Sequence, residues 1–282
     1  MKLALLGYPL SHSLSPVMHN AALAEAGIEG SYEALPVPPE SLAEAVGRVR
    51  AGEFDGANVT VPHKEAVVRL LDGLTPVADI IGAANTLLRQ EGRLIGHNTD
   101  AAGLLADLHA HEVKIAERAV LILGAGGAAR AAVAACAGMG AEIRVMARRR
   151  EQAEALAGIV PSPWSDVSPP IEFFDWTPLG LLQACDDCDL ILNATPLGMS
   201  PRTEASPWIE GTPFPPSAFV YDLVYNPPET LFVRQARAEG LHAATGLGML
   251  VEQGALAFEL WTGASAPRAV MRQAAEAQLR ET

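Results

Sequence analysis

A fully apolar segment that runs straight into a glycine-rich turn constrains the fold more than any other feature of this sequence. Residues 119–123 read Ala-Val-Leu-Ile-Leu, and the turn that follows at once is Gly124-Ala125-Gly126-Gly127-Ala128. Five consecutive apolar residues predict a strand buried on both faces, as in parallel sheets covered by helices. The long alanine-rich segment after the turn predicts such a covering helix, so this region is expected to be α/β.

The turn at residues 124–128 is similar to the phosphate-binding turn of dinucleotide-binding domains. Its spacing is G-x-G-G-x-x rather than G-x-G-x-x-G, and Ala129 stands at the third glycine position, where alanine is tolerated. The strand before it and the helix after it are the context that a pyrophosphate site requires, because the phosphates lie on the helix N-terminus. We therefore predict that Gly124, Ala125, Gly126, Gly127 and Ala128 bind the pyrophosphate of a dinucleotide.

The end of the next predicted strand, 142–146, indicates which dinucleotide is bound. An NAD site usually has Asp or Glu there to hold the ribose 2′-hydroxyl, whereas arginine accommodates the 2′-phosphate of NADP. Here the acid is absent and the sequence is Arg148-Arg149-Arg150. Guanidinium groups pair with phosphate through two hydrogen bonds and stack on planar bases, so we predict NADP, the alternative being a solvated basic turn.

Strands are also predicted at 171–174, 190–193 and 219–222, and the segments that follow the last two are expected to face the cofactor. Ligands of open α/β sheets lie outside the carboxyl ends of the strands. A last predicted helix, from about 246 to Trp261, is expected to cross back to the first domain. Its apolar stripe, in which Gln253 is the exception, consists of Leu250, Ala257, Leu260 and Trp261. The further cofactor-binding residues predicted in these segments are Thr195, Leu223, Gly246, Gly248 and Met249.

A second centre of polar residues is predicted in the first third of the chain. The segment 58–64 reads Asn-Val-Thr-Val-Pro-His-Lys, so a strand over 56–61 brings Thr60 to its end and Lys64 opens the next helix. A predicted hairpin, 83–89 with 93–97, leads to Asp100. Two alternatives stay open: a lone lysine is most often a surface charge, and Thr99 or Asp100 can simply cap the helix that follows.

The segment Ser13-Leu14-Ser15-Pro16 precedes the first predicted helix, 16–26. Ser15 followed by Pro16 is explained by an ordinary N-cap with proline at the first helical position. This explanation does not account for Ser13. Two hydroxyls at the positive end of a helix are suited to a carboxylate or a phosphate, which is the functional interpretation.

Composition limits the number of domains, the classes of partner and the compartment that are compatible with the sequence. A length of 282 residues suggests about two domains, and a net charge of −13 argues against nucleic-acid and membrane-surface partners. The odd number of cysteines favours a reducing cytoplasm, and Cys185 and Cys188, a lone C-x-x-C, are interpreted as incidental rather than as a metal site. We find no signal peptide and no apolar run that spans a membrane, and the proline-rich loop at 161–170 has no assigned role.

Taken together, the motifs resemble shikimate dehydrogenase, in family order along nearly the whole chain. The segments that carry the resemblance are 13–16, 58–64, 82–86, 96–100, 124–128, 221–227 and 246–254. The resemblance implies two α/β domains with a cleft between them. The N-terminal substrate domain would comprise residues 1–100 plus 246–282, and the Rossmann-like NADP-binding domain residues 101–245.

The resemblance also implies an activity, the NADPH-dependent reduction of 3-dehydroshikimate to shikimate in aromatic amino-acid biosynthesis. Lys64 can stabilise a developing alkoxide and supply its proton. By similarity to the family, Asp100 would partner Lys64, and Ser13 and Ser15 would take the substrate carboxylate. The residues that would hydrogen-bond the rest of the ligand are Thr60, Asn85, Tyr225 and Gln253.

Three other functions share part of this pattern. A quinate-accepting relative would have the same architecture with room for one more hydroxyl. A glutamyl-tRNA reductase needs a nucleophilic cysteine in its N-terminal domain, and this chain has none before Cys136. A non-catalytic dinucleotide sensor would have no use for Lys64 together with Asp100. The sequence leaves open whether the protein is a monomer or a homodimer.

Overall fold

The computed structural model describes residues 1–159 and 171–281, and the chain forms two compact units. Unit 1 is Met1–Gly103 with Leu250–Thr282, and unit 2 is Leu104–Met249. None of the described helices is both long and apolar enough to cross a membrane. The proline-rich loop predicted at 161–170 lies outside the described residues.

Unit 1 contains a mixed sheet with the strand order β2-β1-β3-β5-β6-β4. Its elements, with the helix that leads into unit 2, are β1 (Lys2–Gly7), α1 (Ser15–Glu25), β2 (Ser31–Pro36), α2 (Leu42–Arg50), β3 (Gly56–Val59), β4 (Gly73–Leu74), α3 (Pro76–Ile81), β5 (Thr86–Gln90), β6 (Arg93–His97) and α4 (Asp100–Ala110). Short 3₁₀ segments lie at Pro39–Ser41 and Ala66–Leu70.

The hairpin of β5 and β6 is antiparallel, as the sequence predicts, and Glu91 and Gly92 join its strands. Both turn residues have positive φ, 51° and 78°, as the tight turns that match the twist of paired strands require. The hairpin pairs with β3 through β5, so the end of β3, the start of β5 and the end of β6 meet at one edge of the sheet. This edge carries the polar residues described below.

Unit 2 contains a fully parallel sheet with the strand order β12-β11-β10-β7-β8-β9. Its remaining elements are β7 (Ala119–Leu123), α5 (Gly127–Gly138), β8 (Glu142–Met146), α6 (Arg150–Glu154), a 3₁₀ segment Ala155–Gly158, β9 (Ile171–Phe174), α7 (Pro178–Ala184), β10 (Leu190–Asn193), β11 (Phe219–Asp222), α8 (Leu231–Ala238) and β12 (Ala243–Thr245). Two helices complete the chain, α9 (Leu247–Thr262) and α10 (Arg268–Glu281).

The order of this sheet is that of a doubly wound dinucleotide-binding fold. The chain passes outward from β7 through β8 to β9, and then returns to the other side of β7 for β10, β11 and β12. The reversal creates a crevice at the carboxyl ends of β7 and β10, where such folds bind their ligands. Every residue of β7 is buried, as expected for a strand covered on both faces. The predicted α/β fold is confirmed.

A short helix follows Lys64 as predicted, but it is a 3₁₀ helix that begins at Ala66, two residues after Lys64. Two other local predictions are wrong. Ser15 is not the N-cap of α1: Leu14 occupies that position, and Ser15 is already helical. Leu260, expected in the apolar stripe of α9, is 36% exposed.

Candidate active site

Lys64 and Asp100 form an ion pair in unit 1, with 2.7 Å between Lys64 Nζ and Asp100 Oδ2. Lys64 lies in the turn after β3, and Asp100 is the first residue of α4. Their side chains are 17% and 4% exposed, so Lys64 is not the solvated surface charge of the alternative interpretation. A pair removed from water in this way needs further hydrogen bonds to offset its desolvation.

Asn85 supplies one of those hydrogen bonds. Its Nδ2 donates to Asp100 Oδ1 at 2.9 Å and is 3.3 Å from Gln253 Oε1. Asn85 directly precedes β5, and Gln253 reaches it from α9. The fold therefore brings Lys64, Asp100, Asn85 and Gln253, four of the predicted substrate-binding residues, into one contiguous cluster.

The remaining candidates of unit 1 lie at the same edge of the sheet. Thr60 follows β3, and its backbone N–H donates to the Leu6 carbonyl in the neighbouring strand at 2.9 Å. Ser13 and Ser15 follow β1, which pairs with β3. The Ser13 hydroxyl accepts a hydrogen bond from the Ser15 N–H at 3.3 Å, which ties the two serines together at the start of α1.

The predicted pyrophosphate turn lies between β7 and α5 in unit 2. Gly124 has φ of 120°, and a Cβ at this position would lie 2.9 Å from the Ala194 carbonyl oxygen, so glycine is required here. Gly126 is the N-cap of α5 and Gly127 its first residue. Ala129, at the third glycine position, is fully buried, so its methyl group fits between the helix and the sheet.

The three arginines after β8 are all exposed but differ in their partners. Arg150 donates to Glu154 Oε1 at 2.9 Å and to Asp175 Oδ1 at 3.3 Å. Its guanidinium is therefore already occupied by carboxylates. Within residues 1–159 and 171–281, Arg148 and Arg149 make no ion pair, which leaves them as the better candidates for a phosphate group.

The other candidates of unit 2 follow the later strands, at the same edge of the parallel sheet. Thr195 follows β10, and its hydroxyl donates to Asn193 Oδ1 at 2.7 Å. Leu223 follows β11 and lies against Gly246, where a Cβ would come within 2.4 Å of the Leu223 carbonyl oxygen. Tyr225 lies two residues further on, and burial raises the pKa of its phenol to about 12, which keeps the group neutral.

Gly248 and Met249, in the first turn of α9, are both buried. A Cβ on Gly248 would overlap the carboxylate of Asp107, with 1.8 Å to its Oδ1. Packing against Asp107 is therefore sufficient by itself to explain glycine at this position. Met249 is 8% exposed.

Sequence reasoning missed several buried polar residues around these candidates. In unit 1, Asn58, Thr86 and Thr99 hydrogen-bond to Asn85 or to its backbone. In unit 2, buried Asp222 accepts hydrogen bonds from Asn193 and Thr230. The available signal was a polar residue inside a predicted buried strand or at its end, because buried polar groups are nearly always hydrogen-bonded.

No group of three or more His, Cys, Asp or Glu residues among those described could hold a metal ion. Cys136, Cys185 and Cys188 are free and buried. Burial raises the pKa of the Cys185 thiol to about 12 and that of Cys188 to about 11, so both thiols stay protonated and unreactive near neutral pH.

A doubly wound sheet with a glycine turn, in a chain that also holds a buried amine–carboxylate pair, is typical of dinucleotide-dependent oxidoreductases. Comparison with known proteins identifies the family within this class. Models of the shikimate dehydrogenase substrate binding domain and of the shikimate 5′-dehydrogenase C-terminal domain match residues 5–87 and 246–276. The shikimate dehydrogenase (NADP(+)) of Symbiobacterium thermophilum is 45% identical over 279 residues, which cover 98% of this chain and 94% of that protein. The chain belongs to the shikimate dehydrogenase family, and the resemblance inferred from the motifs is confirmed.

Solved structures agree with this assignment. Shikimate 5-dehydrogenase from Thermus thermophilus, in complex with NADP(H) and shikimate, is 41% identical, covers 99% of both chains and has a TM-score of 0.87. The ligand-free 5-ketofructose reductase of Gluconobacter sp. strain CHM43 is 34% identical, covers 98% of both chains and has a TM-score of 0.82. The architecture is therefore shared by proteins named for two different substrates.

Proposed function

We propose that this protein reduces 3-dehydroshikimate to shikimate with NADPH, reversibly, as a step of chorismate and aromatic amino-acid biosynthesis. The observation that carries the proposal is the Lys64–Asp100 pair, 2.7 Å apart and nearly closed to solvent. Family membership supports the same activity. Unit 1 is proposed to bind the substrate and unit 2 the cofactor.

The chemistry assigned to the pair follows from the charges in the reaction. When bound, NADPH supplies the hydride that reduces the ketone carbon. The ketone oxygen then becomes an alkoxide, which the Lys64 ammonium stabilises and protonates. Asp100 orients the Lys64 amine through Oδ2, and Asn85 donates to the other carboxylate oxygen, Oδ1.

The remaining polar groups are assigned to recognition. Ser13 and Ser15, at the N-terminus of α1, are proposed to bind the carboxylate, and Thr60, Gln253 and Tyr225 the ring hydroxyls. A site built to hydrogen-bond several hydroxyls rejects analogues that lack them, because its own polar groups would be left unpaired. The cofactor is assigned to the turn 124–128, to Arg148 and Arg149, and to the strand ends of unit 2; Arg150 already pairs with Glu154 and Asp175.

A single set of absorbance assays tests the proposal. NADP⁺ reduction is measured with shikimate and with quinate, and NADPH oxidation with 5-ketofructose, which has no carboxylate. We expect shikimate to have by far the highest kcat/KM. Preferred turnover of quinate or of 5-ketofructose would instead assign the protein to another activity within the same architecture, and NADP⁺ binding without turnover of any of them would favour a sensor.

Location and oligomeric state are proposed separately. The free, buried cysteines support a reducing compartment, and we propose the cytoplasm. A homodimer stays a prediction, and light scattering of the purified protein distinguishes it from a monomer.

A further inference from the structure

A chain of buried side-chain hydrogen bonds runs through the interior of unit 1 and ends at the Lys64–Asp100 pair. Tyr32 Oη donates to Asn58 Oδ1 at 2.8 Å, and Asn58 Nδ2 lies 3.1 Å from Thr86 Oγ1. Thr86 Oγ1 lies 3.0 Å from Asn85 Oδ1, and Asn85 Nδ2 reaches Asp100. All five residues are at most 5% exposed. Such a chain has no contact with solvent that could replace a missing partner.

Two backbone groups fix the direction of every hydrogen bond in this chain. Asn58 Nδ2 is 3.0 Å from the Asn85 carbonyl oxygen, which can only accept, so the Asn58 oxygen must face Tyr32. Asn85 Oδ1 is 2.9 Å from the Thr99 N–H, which can only donate, so the Asn85 NH₂ must face Asp100. The assignment of nitrogen and oxygen in both amides therefore follows from groups whose roles are not interchangeable.

Thr86 occupies the position between the two amides. Its hydroxyl has one hydrogen, and it accepts from Asn58 Nδ2. The hydrogen is therefore free to go to Asn85 Oδ1, which also accepts from the Thr99 N–H and lies 3.3 Å from the Thr99 hydroxyl. If the Asn85 amide were reversed, its NH₂ group would face the Thr99 N–H and the Thr86 hydroxyl, which are themselves donors. Its oxygen would face the Asp100 carboxylate, which is an acceptor.

This orientation determines which oxygen of Asp100 is available to Lys64. Asn85 Nδ2 donates to Asp100 Oδ1, while Oδ2 pairs with Lys64 Nζ. We propose that Thr86 is a positioning residue, which acts through Asn85 to hold the Asp100 carboxylate in register with Lys64. The proposal rests on the proposed function for its kinetic consequences. Thr86 itself is fully buried and reaches the reaction only through Asn85.

The first test compares Thr86→Val, which keeps the shape and removes the hydroxyl, with Thr86→Ser, which keeps the hydroxyl. For shikimate oxidation with NADP⁺, we expect Thr86→Val to lower kcat about 3- to 10-fold, the value of one hydrogen bond, with an unchanged KM for NADP⁺. Thr86→Ser should restore kcat to within about twofold of the parent enzyme, since the hydrogen bond is kept. Equal losses in both variants would overturn the proposal.

A matched control comes from the same unit. Thr262 donates its hydroxyl to the Phe258 carbonyl at 2.8 Å, at the end of α9 and outside the chain of hydrogen bonds. Thr262→Val removes an equivalent hydroxyl and should leave kcat unchanged. If Thr262→Val loses as much kcat as Thr86→Val, the loss in Thr86→Val is caused by general destabilisation, which would contradict the proposal.

The second test is a double-mutant cycle with Asn85→Ala. If Thr86 acts through Asn85, Thr86→Val should have no further effect on kcat once the Asn85 amide is gone, because interacting residues are not additive. The same fold-loss in both backgrounds would show that Thr86 acts independently, which overturns the positioning role. Should Thr86→Val fail to fold, Tyr32→Phe replaces it, since it removes the first donor and keeps the ring that stacks on His19 at 4.3 Å.

A structural readout separates this proposal from the proposed function. If the parent protein turns over none of the tested substrates, the proposed function fails and kinetics cannot judge Thr86. Crystal structures of the parent and Thr86→Val then decide. We expect the Asn85 amide to move out of hydrogen-bond reach of Asp100 Oδ1 in the variant. An unchanged 2.9 Å contact would overturn the positioning role whatever the activity of the protein.

Discussion

The two units of this protein both place candidate ligand-binding residues at one edge of a sheet, but they use different atoms to do so. In unit 1 the groups are side chains that hydrogen-bond to one another, with Asn85 in contact with Thr86, Thr99, Asp100 and Gln253. In unit 2 the central group is bare backbone, and a Cβ on Gly124 or Gly246 would collide with the carbonyl of Ala194 or of Leu223. The candidate site of unit 1 therefore depends on an amide and a carboxylate, and the candidate site of unit 2 depends on glycines, which have no side chain.

The difference determines how each site responds to substitution. Removing one member of a hydrogen-bonded cluster leaves the others buried and unpaired, which costs stability and also disturbs the orientation of the groups that remain. Adding a methyl group to a glycine turn strains the backbone itself and blocks the approach of a phosphate. Substitutions in unit 1 are therefore expected to change kcat, whereas substitutions in unit 2 should change cofactor affinity and stability.

The largest expected effect is that of Lys64→Ala on kcat. A positioned general acid contributes about 10²- to 10⁴-fold, so kcat for shikimate oxidation should fall by about that factor while NADP⁺ binding is kept. Lys114→Ala, at an exposed lysine of unit 2, is the matched control and should behave as the parent. If Lys64→Ala retains its circular dichroism spectrum and turns over shikimate at the parent rate, the assignment of chemistry to unit 1 is wrong.

The second prediction concerns cofactor selectivity in unit 2. Arg148→Ala should weaken NADP⁺ binding about 10- to 100-fold, as expected for a charge-assisted hydrogen bond, and NAD⁺ binding little, because only NADP⁺ carries the 2′-phosphate. Arg150→Ala is the comparison, since Arg150 already pairs with Glu154 and Asp175. Titration calorimetry measures both affinities, and equal losses for the two cofactors would refute the role of Arg148.

A pair of glycine substitutions tests the claim about backbone. Gly124→Ala should lower the free energy of unfolding by about 1–3 kcal/mol, because its φ of 120° is unfavourable for alanine and the new Cβ meets the Ala194 carbonyl. A Cβ on Gly126 meets nothing within 4 Å, so Gly126→Ala should retain stability and lose only NADP⁺ affinity. Urea denaturation and calorimetry measure the two effects, and equal stability of both variants would contradict the argument.

The candidate sites of the two units also differ in how well the sequence predicts them. The turn at Gly124 is readable because a strand, a glycine run and a helix are adjacent in the chain, and β7 and β8 have the predicted bounds. Lys64 and Asp100 are candidates because each follows a predicted strand, but their pairing is implied only by the resemblance, and no local pattern gives their distance. Their contact depends on the pairing of β3 with β5 and of β5 with β6, which brings together segments 36 residues apart.

The buried network around Asn85 was not predicted for the same reason. Asn58 and Thr86 stand opposite each other on β3 and β5, and this register is visible only in the folded sheet. The short helix after Lys64 is predicted, but its 3₁₀ type is not, since proline at position 62 and the apolar run that follows are equally compatible with an α-helix in sequence. Local sequence patterns therefore do not predict residues whose role depends on a neighbour far along the chain.

The smallest effect concerns Asp222, a buried aspartate of unit 2. It sharpens the comparison because, among the residues that the structure describes, no lysine pairs with this carboxylate. Its hydrogen-bond donors are the neutral groups Asn193 Nδ2, the Val224 N–H and the Thr230 hydroxyl. Burial outweighs these donors and raises the pKa of Asp222 to about 6 from its ordinary value of 3.8. The folded state therefore holds this proton at a pH where the unfolded chain has released it.

Because the folded state binds this proton more tightly than the unfolded chain, Asp222 stabilises the folded state at low pH. Stability from protonated Asp222 is fully present below the unfolded pKa and is lost as pH rises through about 6. Between about pH 5 and 7.5 the loss is about 1.4 kcal/mol, one pKa unit of free energy. Asp222→Asn cannot ionise, so its stability relative to the parent should rise by that amount over this range. Hydrogen exchange of the β10 and β11 amides in both proteins at matched pH measures the difference. If the difference in stability between the two proteins is constant across this pH range, burial does not raise the pKa of Asp222, and the contrast drawn here with the Lys64–Asp100 pair is wrong.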